Sequence, residues 1–153
     1  VTAVNDAPVA GDDSVITNVE TGTFVIPEWA LLANDTDVDS VLNITGATEN
    51  QTSFGVAVGP TGDITVTHTT TQQRNFTYTV SDGAATDTAT VSVTRDTGSV
   101  SGTGGNNILI GDNSGDTFDG GTGITLNEAL HANWSSRPDF SRELGAPPAR
   151  GGT

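Results

Sequence analysis

Apolar and polar side chains alternate in short runs along most of the first hundred residues. In residues 75–80, Phe76, Tyr78 and Val80 fall on one face of an extended strand, and residues 89–94 repeat this pattern. Further runs with β-branched or apolar spacing occupy residues 13–17, 23–26, 42–48, 54–58 and 62–67. Turn-forming Gly, Pro, Asn and Asp separate the runs. The pattern predicts an all-β antiparallel sandwich of about seven strands.

One segment departs from this alternation. Residues 27–34 carry Pro at a first-turn position and predict one or two helical turns. We expect Trp29, Leu31 and Leu32 to cap the core of the sandwich, with Trp29 as a core residue.

Composition excludes several classes of function. The chain of 153 residues has 19 acidic side chains against 5 basic ones, all Arg, and it lacks Cys and Lys. Disulfides, thiolate metal sites and Schiff-base chemistry are therefore excluded. The acidic balance argues against nucleic acid and anionic membranes as partners, because phosphate neutralisation needs clustered cations. No apolar run is long enough to predict membrane insertion. Val1 stands in place of Met, which suggests a piece of a longer chain.

Charge and glycine content divide the chain into three pieces. Residues 1–123 hold 16 acidic side chains and 2 Arg, a net charge of −14, whereas residues 124–153 hold three of each. Glycine becomes frequent after Asp96. We therefore predict a sandwich domain at 1–96, a Gly-rich segment at 97–123 and a tail at 124–153. In the tail, we predict a short helix at residues 127–134, capped by Asn127, and disorder at residues 135–153.

Three carboxylates crowd into the acidic run Asp35, Asp37 and Asp39. Like charges at this spacing are tolerated either in a solvated loop or around a cation. The run is not an EF-hand, because Ser40 replaces the glycine at the sixth position and Gly46 the glutamate at the twelfth. A non-helical Ca²⁺ loop and a simple acidic turn both stay open.

Four motifs in order carry a family resemblance: Asn5-Asp6-Ala7-Pro8, Glu20, residues 31–39 and residues 78–83. Together they resemble the bacterial cadherin-like repeats, which occur in tandem in large secreted adhesins. The resemblance implies an Ig-like sandwich with Ca²⁺ at the junction between neighbouring repeats. The residues that it implies as ligands are Asn5, Asp6, Glu20, Asp35 and Asp37, with Asp39 as an accessory ligand. Residues 93–97 lack the motif that would open another repeat, so we expect the last repeat of an array.

The Gly-rich piece resembles the nonapeptide repeats of RTX proteins, in residues 102–111 and 115–123. Leu109 and Phe118 lie nine residues apart, as do Asn107 and Asp116. The resemblance implies Ca²⁺ ligands at Asn107 and Asp116. The pattern breaks at Ile124, so a partial β-roll and a Gly-rich linker both stay open.

Signals for catalysis are weak. His68 and His131 lack a third partner at metal spacing, and the chain contains neither a nucleophile elbow nor a phosphate loop. We predict a non-enzymatic, calcium-binding structural or adhesive module of a large secreted bacterial surface protein. Its expected partners are neighbouring repeats of the same chain and a surface glycan or protein. The alternatives are an accessory module of a large secreted enzyme and a glycan-binding tip that uses Trp29.

Overall fold

The computed structural model describes residues 4–69, 72–97, 100–112 and 118–119, together with the backbone of 125–129. The first seven strands confirm the predicted runs, with bounds that differ by a few residues at most. They are β1 Asp13–Thr17, β2 Gly22–Ile26, β3 Asn43–Glu49, β4 Phe54–Val58, β5 Ile64–His68, β6 Arg74–Ser81 and β7 Thr86–Arg95. Within the described residues, no helix is long and apolar enough to cross a membrane.

These strands form two sheets that face each other across an apolar core. One sheet contains the order β3-β6-β7-β1, and the other has the order β2-β5-β4. The strands pair antiparallel, except that β1 runs parallel to β7, with Asp13 opposite Val91 and Thr17 opposite Arg95. The predicted all-β, Ig-like sandwich is confirmed.

Side-chain alternation places the core where the pattern predicted it. Phe76, Tyr78 and Val80 on β6 are fully buried. Phe24 and Ile64 from the opposite sheet belong to the same apolar cluster. Because successive strand residues point to opposite faces, each strand contributes every second side chain to this core.

The predicted helical segment forms α1, Glu28–Leu31, followed by a 3₁₀ turn at Leu32–Asn34. Ala30 and Leu31 are buried, but Trp29 is 48% exposed. The expectation that Trp29 is a core residue is therefore wrong. In a helix of four residues, only the face that carries Ala30 and Leu31 meets the sandwich, and Trp29 lies outside it.

The Gly-rich piece contains short strands that pair in parallel. They are β8 Val100–Ser101, β9 Asn107–Gly111 and β10 Phe118–Asp119, and β11 Thr125–Ala129 follows them. β9 extends the first sheet by pairing parallel with β1, while β10 pairs with β8 and β11 with β9, also parallel.

The tail differs from its prediction at its start. Residues 127–129 belong to β11, where we expected the first turn of a helix capped by Asn127. Pairing with β9 gives these residues a backbone ladder, which outweighs a weak local preference for helix. The rest of the predicted helix and the predicted disorder at 135–153 lie outside the described residues.

The strand directions define two poles of the sandwich. The linker pole holds residues 5–13, 27–43, 59–63 and 82–87, and β1, β3 and β7 start there. The exit pole holds residues 17–22 and 49–53, and β7 ends there at Arg95. β8 follows this strand along the chain.

Candidate functional site

Charge is distributed unequally between the two poles. Both arginines of the sandwich, Arg74 and Arg95, lie toward the exit pole, at the start of β6 and the end of β7. The linker pole collects ten carboxylates and no basic side chain: Asp6, Asp12, Asp13, Glu28, Asp35, Asp37, Asp39, Asp63, Asp82 and Asp87. This acidic pole is the candidate site.

The N-terminal segment ties distant parts of the sequence together at this pole. The side-chain amide of Asn5 donates to Asp82 Oδ2 at 2.8 Å. The backbones of Val9 and Thr36 exchange two hydrogen bonds, of 2.8 and 2.9 Å. The Ala10 amide donates to Asp87 Oδ2 at 2.9 Å. The predicted linker motif therefore lies against both the acidic run and the 82–86 turn.

Asp35 faces inward, and its carboxylate is hydrogen-bonded to a side chain of the core. Its Oδ1 accepts the Gly11 amide at 2.7 Å, and the hydroxyl of the buried Tyr78 lies 3.0 Å from Oδ1 and 2.9 Å from Oδ2. Burial raises the pKa of Asp35 above its ordinary value, although the Gly11 and Tyr78 hydrogen bonds oppose this shift. Asp35 thus joins the linker to the middle of β6.

Asp13, which the sequence analysis did not select, lies in the same cluster. Burial raises the pKa of Asp13 to about 8, against the opposing hydrogen bond from Tyr78, and the charges of Asp35 and Asp12 add to the rise. Burial, followed by the charges of Asp13 and Asp35, also raises the pKa of the Tyr78 hydroxyl. Because the hydroxyl carries one hydrogen, it cannot donate to both carboxylates at once. A proton on Asp13 therefore reduces the repulsion between the Asp13 and Asp35 carboxylates and lets the Tyr78 hydroxyl donate to Asp35.

The remaining carboxylates of the acidic run close their own loop. Oδ1 of Asp37 accepts the amides of Asp39 and Ser40 at 2.9 and 2.7 Å, and exposed Asp39 accepts the Ser40 hydroxyl at 3.2 Å. Among the described residues, Asp37 Oδ2 and Asp13 Oδ2 are buried oxygens without a hydrogen-bond partner. Each of these two oxygens has room for a further donor or a cation as a partner.

Asp82 and Asp87 are further site residues that the sequence analysis missed. Backbone amides, that of Ala85 first, and the Asn5 side chain lower the pKa of Asp82 below its ordinary value. The Ala10 amide lowers the pKa of Asp87 in the same way. The available signal for Asp82 was its place in the Ser81-Asp82-Gly83 turn, which the sequence analysis used as part of the family resemblance but not as a ligand.

The other predicted ligands are dispersed. Asp6 is exposed at the linker pole, whereas Glu20 lies at the exit pole in an ion pair with Arg95. Asn107 is buried in β9, where its Oδ1 accepts the Thr103 amide at 2.6 Å. Asp116 lies outside the described residues. Since β7 spans about 26 Å from Asp87 to Arg95 at the usual rise per residue, Glu20 cannot share one ion with the linker pole.

The carboxylate oxygens at the linker pole suit a hard cation, but the described side chains do not supply a complete ligand shell. Ca²⁺ takes six to eight oxygen ligands, largely from carboxylates, carbonyls and water. Within the described ranges, no group of three or more His, Cys, Asp or Glu side chains could hold a metal ion. Calcium binding stays a prediction, and a complete site would need backbone, water or neighbouring-module oxygens as well.

Comparison with known proteins identifies the sandwich. A family model described as the bacterial Ig domain matches residues 5–94, which is more than half of the chain. No curated protein matches.

Solved structures offer more distant likenesses. An endo-fucoidan hydrolase of glycoside hydrolase family 107 has 19% identity and a TM-score of 0.40, covering 59% of this chain and 14% of its own. The PKD domain of the KIAA 1837 protein has 20% identity and a TM-score of 0.37, over 67% of this chain and 99% of its own. Titin domain M7 has 14% identity and a TM-score of 0.30, over 62% and 99%. The chain thus spans about a seventh of the hydrolase.

Proposed function

Because the chain belongs to the bacterial Ig domain family, we propose that it is a calcium-dependent structural module of a large secreted bacterial surface protein. Bacterial Ig domains are typical of surface and accessory modules and are usually non-catalytic. The proposed role is adhesive and mechanical: Ca²⁺ stiffens the joint between this sandwich and a neighbouring repeat of the same chain.

One observation carries the proposal. The linker segment, the acidic run and the 82–86 turn meet at a pole that holds ten carboxylates and no basic side chain. Such a concentration of negative charge is costly unless protons or cations offset it. A divalent cation would do so without requiring a basic side chain.

Asp37 and Asp82 are the ligands that we propose for such an ion; the backbone amide of Asp39 donates to Asp37, and the side-chain amide of Asn5 donates to Asp82. Asp37 offers a buried oxygen that accepts no hydrogen bond. The pKa of Asp82 is lowered, which favours the charged carboxylate that a cation would bind. The ion would supply positive charge, and a neighbouring module would complete the oxygen shell. Glu20 would then belong to a separate joint at the exit pole, and Asn107 and Asp116 to the Gly-rich piece.

A calcium titration followed by calorimetry tests this proposal. We expect millimolar Ca²⁺ to raise the Tm by several degrees and a chelator to reverse the rise, since a ligand at a hundredfold its Kd stabilises the native state by about 2.7 kcal/mol. Asp37→Asn should abolish most of the rise. Glu49→Gln, which removes one charge from an exposed site at the other end of β3, should keep it.

The comparison with Mg²⁺ separates specific binding from screening. Mg²⁺ needs a tighter octahedral shell and should stabilise the chain far less. An unchanged Tm with Ca²⁺, or an equal rise in Asp37→Asn and with Mg²⁺, would overturn calcium binding at the linker pole.

A second candidate function rests on Trp29, whose side chain is 48% exposed beside the acidic pole. An exposed indole offers a flat face for stacking on a sugar ring. In this reading, the chain is the carbohydrate-binding accessory module of a secreted enzyme. Glycan-array binding that Trp29→Ala abolishes and Val38→Ala preserves would favour it, and absence of binding by the wild type would remove it.

A further inference from the structure

The Gly-rich piece follows an eighteen-residue register. Val100 pairs with Phe118, and Asn107 pairs with Thr125, so both parallel ladders advance by eighteen positions per turn of the chain. One strand of each turn lies in the two-stranded sheet β10-β8, and the other lies in the large sheet. We call the four strands β8, β9, β10 and β11 together the coil.

The coil rests directly on β1 of the sandwich. β1 pairs with β7 on one side and with β9 on the other, and Val15, Ile16 and Thr17 stand opposite Ile108, Leu109 and Ile110. Without the coil, this side of β1 would be an open strand edge, which proteins normally cover or blunt. The sheet is therefore continuous from the sandwich into the coil.

Side chains of β1 divide between two cores. Val15 belongs to the sandwich core, whereas Ile16, on the opposite face, packs with Val100 and Leu109 and against Phe118. Every apolar neighbour of Ile16 in this cluster comes from the coil, and Ile16 is only 5% exposed. The sandwich thus carries an outward-facing apolar residue that the coil buries.

β9 has the complementary arrangement. Ile108 and Ile110 enter the sandwich core, while Leu109 between them enters the coil core with Val100 and Phe118, nine residues before and after it. At the end of β1, buried Asn18 accepts the Asp112 amide at 2.7 Å. Asn107 closes the turn before β9 by accepting the amide and the hydroxyl of Thr103 at 2.6 and 3.1 Å.

We infer that the outer edge of β1 is a template on which the coil folds, so that the sandwich serves as the N-terminal cap of a parallel β-coil. A two-turn coil buries too little apolar surface to form alone, since repeat architectures need neighbouring units. The sandwich acts as that neighbouring unit: the edge of β1 provides backbone hydrogen-bonding groups, and Ile16 provides an apolar side chain. This role does not depend on calcium at the linker pole.

Hydrogen exchange of the full chain in calcium-containing buffer tests the template. In the wild type, we expect the amides of β9 to be protected to within about tenfold of those of β1. Ile16→Ser should speed exchange in β8 and β9 at least tenfold, because it removes the sandwich side of the shared core. Exchange in β6 should change less than threefold. Leu109→Ser, which acts from the coil side, should give the same result.

Val38→Ser is the matched control, because it makes a similar change at a side chain that is 85% exposed, and it should leave β8 and β9 unchanged. Free-chain exchange of β9 in the wild type would overturn the template, and so would protection of β9 that survives both serine variants. If Ile16→Ser unfolds the whole chain, Ile16→Ala replaces it. An equal loss of protection in β6 and β9 of Ile16→Ala would then show that the coil is an inseparable part of the sandwich and would overturn the inference.

Discussion

The hydroxyl of Tyr78 lies 2.9 Å from Oδ2 of Asp35, so the middle of a buried strand holds the start of the acidic run. Tyr78 is fully buried, and its hydroxyl also lies 3.3 Å from the Gly11 carbonyl. Through these two contacts, Tyr78 connects β6 to the acidic run and to the N-terminal segment. Asp35, whose pKa is raised, also feels the charge of Asp87, whose pKa is lowered.

Removal of the Tyr78 hydroxyl should destabilise the sandwich. Tyr78→Phe leaves Asp35 without its buried donor, and such losses cost about 1–3 kcal/mol. Urea unfolding measures the change. Ser92→Ala, which removes a hydroxyl from the outward face of β7, should alter stability by less than about 0.5 kcal/mol. Equal midpoints for the two variants would show that the Tyr78 hydroxyl contributes nothing measurable.

The unfolding free energy should depend on pH through Asp13. Its folded pKa of about 8 lies above the ordinary value of 3.8, so the folded state binds this proton more tightly than the unfolded chain. The resulting stabilisation is complete below pH 3.8 and is lost as the pH rises to about 8. Asp13→Asn should remove this slope between pH 5 and 9. A wild-type slope that Asp13→Asn preserves would contradict the assignment.

Asp82 and Asp87 should act in the opposite sense. Their folded pKa values lie below the ordinary value, so their contribution is present above pH 3.8 and is lost as the pH falls through the folded pKa. Asp82→Asn should therefore weaken the chain at pH 6 more than at pH 2. Thermal unfolding at both values measures the difference, and a pH-independent difference would contradict it.

Two glycines with positive φ should respond differently to alanine. At Gly62, with φ of 82°, a Cβ would lie 2.1 Å from Glu28 Oε1, which accepts the Ile44 amide at 2.7 Å. At Gly83, with φ of 97°, a Cβ would meet nothing within 4 Å. Gly83→Ala should cost about 1–2 kcal/mol from the backbone alone, and Gly62→Ala should cost at least about 1 kcal/mol more. Equal losses would mean that Glu28 moves away freely.

The Glu20–Arg95 pair should contribute little. Glu20 has a side chain that is 74% exposed, and exposed ion pairs are worth about 0–1 kcal/mol. Glu20→Gln should change the Tm only slightly and leave the calcium response of the linker pole intact, because Glu20 lies at the other pole. A calcium response lost in this variant would place the ion at the exit pole.

Much of the sandwich could be predicted because its evidence is local. Alternation in residues 75–80 and 89–94 identifies two strands and their inward faces without any long-range information. The exposure of Trp29 could not be found in this way, because it depends on which side of a single helical turn meets the sheet. Tryptophan is buried on average, and the expectation that Trp29 is a core residue followed that average.

Long-range pairing explains the other failures. Nothing in residues 13–17 indicates that β1 is parallel to both β7 and β9, since those partners lie far along the chain. The sequence analysis did not select Asp13, because its burial depends on Tyr78 and Asp35, which lie far along the chain. The nine-residue spacing of Leu109 and Phe118 was visible, but the sandwich residue that completes their core, Ile16, was not.

The parallel pairing of β1 with β7 determines how the sandwich bears tension. The chain reaches β1 at the linker pole and leaves β7 at the exit pole, so a pull along the chain drags these adjacent strands in opposite directions. Their backbone bonds lie across the line of force and must rupture together rather than one after another. The sandwich is therefore built to withstand shear along the direction of its strands.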